Sequence, residues 1–151
     1  MGHTFTNLLY HVTFSTYERQ PLIHTRFMSR LHAYMGGIAR KEFGSALAIG
    51  GVADHVHGLL VISPAIALSD ALCKWKSLSS KWVHDSFRGK SGFAWQEGYA
   101  AFTVSRSNVP RVTAYIAGQD NHHKKMTFDE ELERLLEKHG IRLDERGCAI
   151  G

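Results

Sequence analysis

A chain of 151 residues with 44% apolar side chains is long enough to bury one core, and its two isolated cysteines exclude a disulfide framework or a CxxC metal site. A formal charge of +4 and a pI near 9.2 point to a polyanionic partner. No charged-then-apolar signal layout opens the chain, and no apolar run approaches the roughly 20 residues of a membrane span; it reads as soluble and cytoplasmic, with Cys73 and Cys148 reduced and structural.

Residues 8–16 (LLYHVTFST) are rich in β-branched and aromatic side chains and predict a strand, with Pro21 in the loop beyond it. Thr25 can cap a helix whose apolar positions Phe27, Leu31, Tyr34 or Met35, and Ile38 recur at helical spacing. Gly36 and Gly37 interrupt that pattern, at up to about 1 kcal/mol each, and Gly44 is a plausible stop. Residues 46–52 and 55–63 are strand-like and joined through Ala53-Asp54, a link short enough for an antiparallel hairpin but not for a parallel crossover. After Pro64, Ser69 predicts the N-cap of a helix to about Arg88, ended by Gly89. Residues 92–98 form a loop around Trp95, and 99–105 a fourth strand. Ser107 or Asn108, with Pro110 just inside, opens a helix through Tyr115. Thr127 and Glu130 make a capping-box pair for a last helix to His139, stopped by Gly140. The order β-α-β-β-α-β predicts an α+β, ferredoxin-like split β-α-β sandwich: a four-stranded antiparallel sheet with additional C-terminal helices, as one domain over 1–151.

Two segments carry candidate chemistry. In Asp54-His55-Val56-His57, strand alternation puts both imidazoles on one face, within reach of one divalent ion, while Val56 packs on the other. A histidine pair satisfied by ordinary hydrogen bonds fits the same spacing. Asp54 is either a turn residue or the group that orients a ligating imidazole. In the second segment Tyr115 and Gln119 stand at i and i+4, with His122 at i+7, so phenol, amide and imidazole share a helical stripe. A surface tyrosine with polar neighbours fits that pattern too. On the helix after Ser69, Lys74, Ser77, Lys81 and Arg88 form a narrow basic stripe opposite Leu72, Trp75, Trp82 and Val83. It suits either DNA phosphates or plain solvation. Trp95 is placed to stack a base or to lie buried beneath its loop.

Taken together, HxH on a strand and, about sixty residues later, Tyr-x-x-x-Gln on a helix resemble the HUH single-tyrosine transposases of the smallest insertion sequences and their solitary, repeat-associated relatives. Tyr10-His11, Trp95-Gln96-Glu97-Gly98-Tyr99, His122-His123 and the stretch from Phe128 to Glu145 fall in the family's order. The resemblance spans about residues 7–146 and leaves 147–151 as a tail. Gly58 departs from the large apolar residues usual after the histidine pair, and marks either a bulge or a close backbone approach.

The resemblance implies metal-dependent nicking and rejoining of single-stranded, hairpin-bearing DNA through a covalent 5′-phosphotyrosine. Tyr115 would be the nucleophile and His55, His57 and Gln119 the metal ligands, with His122 or His123 as alternatives to Gln119. The ion would be Mg2+ or Mn2+, and a homodimer is the implied assembly. Two other readings stay open: a retired hairpin-binding protein, and a metal-dependent phosphodiesterase that uses water.

Overall fold

The computed structural model describes residues 2–87 and 92–150. Four strands, β1 (Leu9–Ser15), β2 (Gly44–Val52), β3 (His55–Ile62) and β4 (Ala100–Thr103), form one antiparallel sheet in the order β2-β3-β1-β4. The crossover from β1 to β2 runs through α1 (Thr25–Glu42) and leaves a gap that β3 fills. Likewise α2 (Leu68–Ser86) carries the chain from β3 to β4, with β1 between them. This is the expected ferredoxin-like arrangement.

Helix starts differ from expectation by one or two residues. Thr25 is the first residue of α1, with His24 at the N-cap position, and α2 begins at Leu68 after Ala67; neither helix start is capped by a side-chain hydrogen bond. The end of α2 at Ser86 precedes Arg88 and Gly89, which lie outside the described residues.

Strand alternation gives the sheet two different faces. Val12 and Phe14 of β1 and Val56, Leu60 and Ile62 of β3 join one core with α1 and α2, where Leu31, Met35, Leu72, Trp75 and Val83 are buried. Gly58 lies on this face, and a Cβ there would stand 2.5 Å from Cη2 of Trp75. The missing side chain is therefore a close approach; the bulge is in β2, between Ala46 and Ala48. Trp95 is buried too, edge-on to Phe14 and donating to Ser79 Oγ at 3.0 Å. That leaves its ring no free face for a base.

The opposite face of β1 and β3 presents Leu9, His11, Thr13 and Ser15 beside His55, His57 and Leu59. It is covered by α3 (Val109–Ala117), a four-residue α4 (Gln119–His122) and α5 (Phe128–Lys138). One uninterrupted helix from Tyr115 to His123 was expected; instead the helix breaks at Gly118, whose N–H turns back to the carbonyls of Ala114 and Tyr115. The Thr127–Glu130 capping box is formed as predicted, and Gly140 ends that helix region at φ 70°. A small hairpin, β5 (Arg142–Leu143) with β6 (Ala149–Ile150), follows where no strands were predicted; Asp144 accepts from the backbone of Arg146 and Cys148 in its turn. Both cysteines are free, and both are exposed.

Candidate active site

β3 delivers His55 and His57 to the α3–α5 face, both fully buried. Each ring has its outer nitrogen occupied. Asp54 Oδ1 lies 2.7 Å from Nδ1 of His55, and Nε2 of His11 lies 2.8 Å from Nδ1 of His57. The two Nε2 atoms are left pointing inward. His123, just past α4, is fixed in the same way: its Nδ1 is 2.9 Å from the carbonyl of Met126 and its Nε2 faces the cluster.

At the meeting point is Glu131 of α5, only 1% exposed. Its Oε1 is 2.9 Å from His57 Nε2, 3.1 Å from His123 Nε2 and 3.3 Å from His55 Nε2. Its Oε2 accepts from the Tyr115 hydroxyl and, at 3.1 Å, from Nε2 of Gln119. Gln119 Oε1 lies 3.1 Å from His55 Nε2, and His122 Nε2 is 3.4 Å from the Tyr115 hydroxyl. The predicted Tyr115, His55, His57, Gln119, His122 and His123 are thus brought together, although the helix expected to carry four of them is broken.

Two members were missed in the sequence. His11 alternates in phase with Thr13 and Ser15 on β1, and a buried imidazole in that register was a signal. Glu131 falls at i+3 from Phe128 and i−4 from Leu135, the two other buried side chains of α5; a carboxylate inside an apolar stripe is the anomaly that could have exposed it.

The electrostatics follow from this crowding. Burial alone would raise the Glu131 carboxyl, but hydrogen bonds from His55 and His57 hold it well below the usual carboxylate range. Burial opposes protonation of His55, yet hydrogen bonds to Asp54, Glu131 and Gln119 raise it to about 9. Burial lowers His57, and it lowers His11 to about 3 with help from His57. Tyr115 is pushed up by burial and by the charge of Glu131.

The donor set fits a divalent cation. One ligand atom from each of His55, His57, His123 and Glu131 lies within 4.8 Å of all the others. Ligands about 2.1 Å from a shared ion stand about 3–3.4 Å apart, close to the separations between Glu131 Oε1 and the three nitrogens.

Residues 4–119 match the family described as IS200-like transposases. The chain belongs to that family. Two curated relatives, the transposases of insertion sequence IS200 from Salmonella typhimurium and Salmonella typhi, are each 29% identical over 129 residues, covering 79% of this chain and 81% of theirs. Among solved structures, a candidate transposase from Deinococcus radiodurans superposes with a TM-score of 0.62 at 22% identity, over 79% of this chain and 96% of the other. A REP-associated tyrosine transposase bound to a REP hairpin gives 0.55 at 15% identity, over 82% and 74%. These two likenesses concern the fold.

The basic stripe on α2 does not reach the transposase's histidine cluster, because α2 packs on the other face of the sheet. Lys74 pairs with Glu42 at 3.3 Å and Lys81 with Asp85 at 2.6 Å; Arg88 lies outside the described residues. Nearer cations flank Tyr115: Lys124, Lys125 and Arg134 border an open cleft of about 660 Å³ with Tyr115 and His122. Arg111 and Lys138 border a smaller cavity of about 240 Å³ between His11 and Tyr115. No described helix is long and apolar enough to cross a membrane.

Proposed function

We propose that this transposase nicks and rejoins single-stranded, hairpin-bearing DNA through Tyr115, with a divalent ion, Mg2+ or Mn2+, at the histidine cluster. One observation carries the reading: the Tyr115 hydroxyl and the Nε2 atoms of His55 and His57 converge on a single buried carboxylate, within one chain. A phenol aimed at a cluster of metal-type donors suits attack on a phosphodiester better than it suits a structural contact.

In the proposed step the Tyr115 oxygen attacks phosphorus. A P–O bond to tyrosine forms, the bond to the 3′ oxygen breaks, the phenol gives up its proton and the leaving oxygen gains one. The products are a 5′-phosphotyrosine and a free 3′-OH, and the reverse step rejoins DNA. The phosphoester energy is conserved, so no nucleotide is consumed. When bound, the cation supplies charge stabilisation to the crowded phosphate. His55 and His57 hold it, and Gln119 Oε1 and His123 Nε2 are both in reach as third ligand. Two imidazoles favour Mn2+ slightly over Mg2+. Asp54 and His11 keep the two imidazoles turned inward. Lys124, Lys125 and Arg134 receive neighbouring phosphates in the cleft beside Tyr115. Hairpin recognition is supported by the fold shared with a transposase bound to a REP hairpin. Because Tyr115 meets the histidines of its own chain, we assign a homodimer the task of pairing DNA ends rather than completing the site. The place of action is the cytoplasm, with the DNA.

The test is to incubate wild type and Tyr115→Phe with labelled single-stranded hairpin DNA from the gene's own flanks, plus Mn2+, on denaturing gels. A slow-migrating covalent species in wild type alone is the expected result. Cutting by both proteins without an adduct would replace the tyrosine with metal-activated water. Binding without cutting would make the protein a retired enzyme that holds hairpins.

A further inference from the structure

Three imidazole nitrogens converge on one carboxylate oxygen in the histidine cluster. With Nδ1–H of His55 given to Asp54 and of His123 to Met126, the Nε2 of each ring, when neutral, turns a lone pair to the same carboxylate oxygen, and Nε2 of His57 meets that oxygen beside them. Without a cation, His55 and His123 can both bond that oxygen only if both imidazoles are charged. A divalent cation satisfies all four at once. The carboxylate is also placed for a second task, since its other oxygen accepts from the Tyr115 hydroxyl and from the Gln119 amide.

We propose that Glu131 is the anionic ligand of the ion, bound through Oε1 beside Nε2 of His55, His57 and His123, and that its Oε2 positions Tyr115 against that ion. Gln119 then acts through its N–H, steadying Glu131, rather than as the third ligand. This deepens the transposase reading and rests on it. It makes α5 part of the active site and ties nucleophile and metal to one side chain of the same subunit. The competing role for Glu131 is an internal counter-ion, seated where the metal belongs and displaced when metal binds. The two roles predict opposite signs for the effect of removing its charge.

Mn2+ binding decides between them, measured by calorimetry and by electron paramagnetic resonance on the full chain. Glu131→Gln keeps the shape and removes the charge; affinity is expected to fall at least about tenfold, no less than the loss typical for a group that only supports a ligand. Unchanged or tighter Mn2+ binding overturns the proposal in favour of the counter-ion. Should Glu131→Gln fail to fold by circular dichroism, Glu131→Asp decides: it keeps the charge but, one methylene shorter, cannot span ion and phenol. Weaker Mn2+ binding, and adduct formation slowed beyond that loss when Mn2+ is saturating, are expected. Wild-type values in both measurements overturn the proposal. The positioning half is read separately from affinity, as the adduct rate at saturating Mn2+; an undiminished rate in the aspartate variant removes it. Failure of this inference with a wild-type covalent adduct still formed leaves the transposase mechanism standing. Absence of that adduct in wild type, on flanking hairpin DNA, removes the mechanism whatever Glu131 binds.

Discussion

The two faces of the sheet are made by the same two central strands, yet they are built on different physics. On the α1–α2 side β1 and β3 contribute Val12, Phe14, Val56 and Leu60, and the layer is held by apolar burial and by aromatic edges between Phe14, Trp75 and Trp95. On the α3–α5 side the alternate residues are His11, Thr13, His55 and His57, and the covering layer answers with Glu131 and Gln119 from its helices and His123 just past α4. Hydrophobic contact is non-directional and tolerant; a polar cluster buried to the same depth demands a partner for each group. The first face thus supplies the stability that lets the second hold a carboxylate and several imidazoles out of water, an arrangement seldom net stabilising.

The comparison breaks most visibly at Trp75. Fully buried, donating to the Met35 carbonyl at 3.0 Å and wedged over Gly58, it anchors the apolar face. Trp75→Ala is expected to cost about 3–5 kcal/mol in urea unfolding, while the molecules that remain folded bind Mn2+ with wild-type affinity. A parallel loss of Mn2+ affinity in the folded fraction would show that the faces are not separable.

Two glycines on neighbouring strands sharpen the contrast, because they point to opposite sides. A Cβ on Gly58 would meet the Trp75 ring at 2.5 Å, whereas one on Gly50 would meet the carbonyl oxygen of Ile116 at 2.3 Å. Ile116 follows Tyr115 in α3, so Gly50→Ala must push back the helix that carries the proposed nucleophile. Both alanine variants are expected to lose about 1–3 kcal/mol through overpacking. Only Gly50→Ala should also slow adduct formation tenfold or more, as a displaced reacting group does. Single-turnover gels on the folded proteins read the difference; equal rates for the two variants would mean that α3 absorbs the shift without moving Tyr115.

The same division explains what was legible in the sequence. The four strands of the main sheet are legible as β-branched and aromatic runs between turn residues, and the shared face of His55 and His57 follows from period-two alternation, which one short window displays. Tyr115 was singled out by its spacing to Gln119 only in combination with the histidine pair, as a family resemblance, and Gly118 breaks the helix between the two. Glu131 stands out only as a carboxylate within the apolar stripe of α5; its meeting with the histidines depends on how α5 docks after an irregular turn through residues 123–127, which that stripe does not encode. His11 lay in a readable strand, but its partner His57 is 46 residues away and reaches it only through the β1–β3 register. Trp95 and the lysines of α2 show the converse. Residue type left Trp95 open to base stacking or burial and the lysines to phosphates or solvation; register and helix face place Trp95 in the core and the described lysines, Lys74 and Lys81, on the side of the sheet away from the histidines.

The smallest effect concerns the one described imidazole whose buried ring nitrogen has no hydrogen-bond partner. His32 of α1 lies on the apolar side, with Nε2 shielded from solvent, and burial lowers its pKa below the usual 6.5. The sign follows from proton counting. Between the lowered folded value and the unfolded value near 6.5, the unfolded chain carries a proton that the folded chain refuses, so stability rises with pH across that window and is lost as pH falls through it. Removing the imidazole removes that slope. His32→Leu is therefore expected to flatten the pH dependence of urea unfolding below about pH 6.5, with Mn2+ binding at neutral pH unaltered. If the acid-side slope persists undiminished in this variant, the pH sensitivity belongs wholly to the polar face, where His11 and His57 are also held neutral by burial.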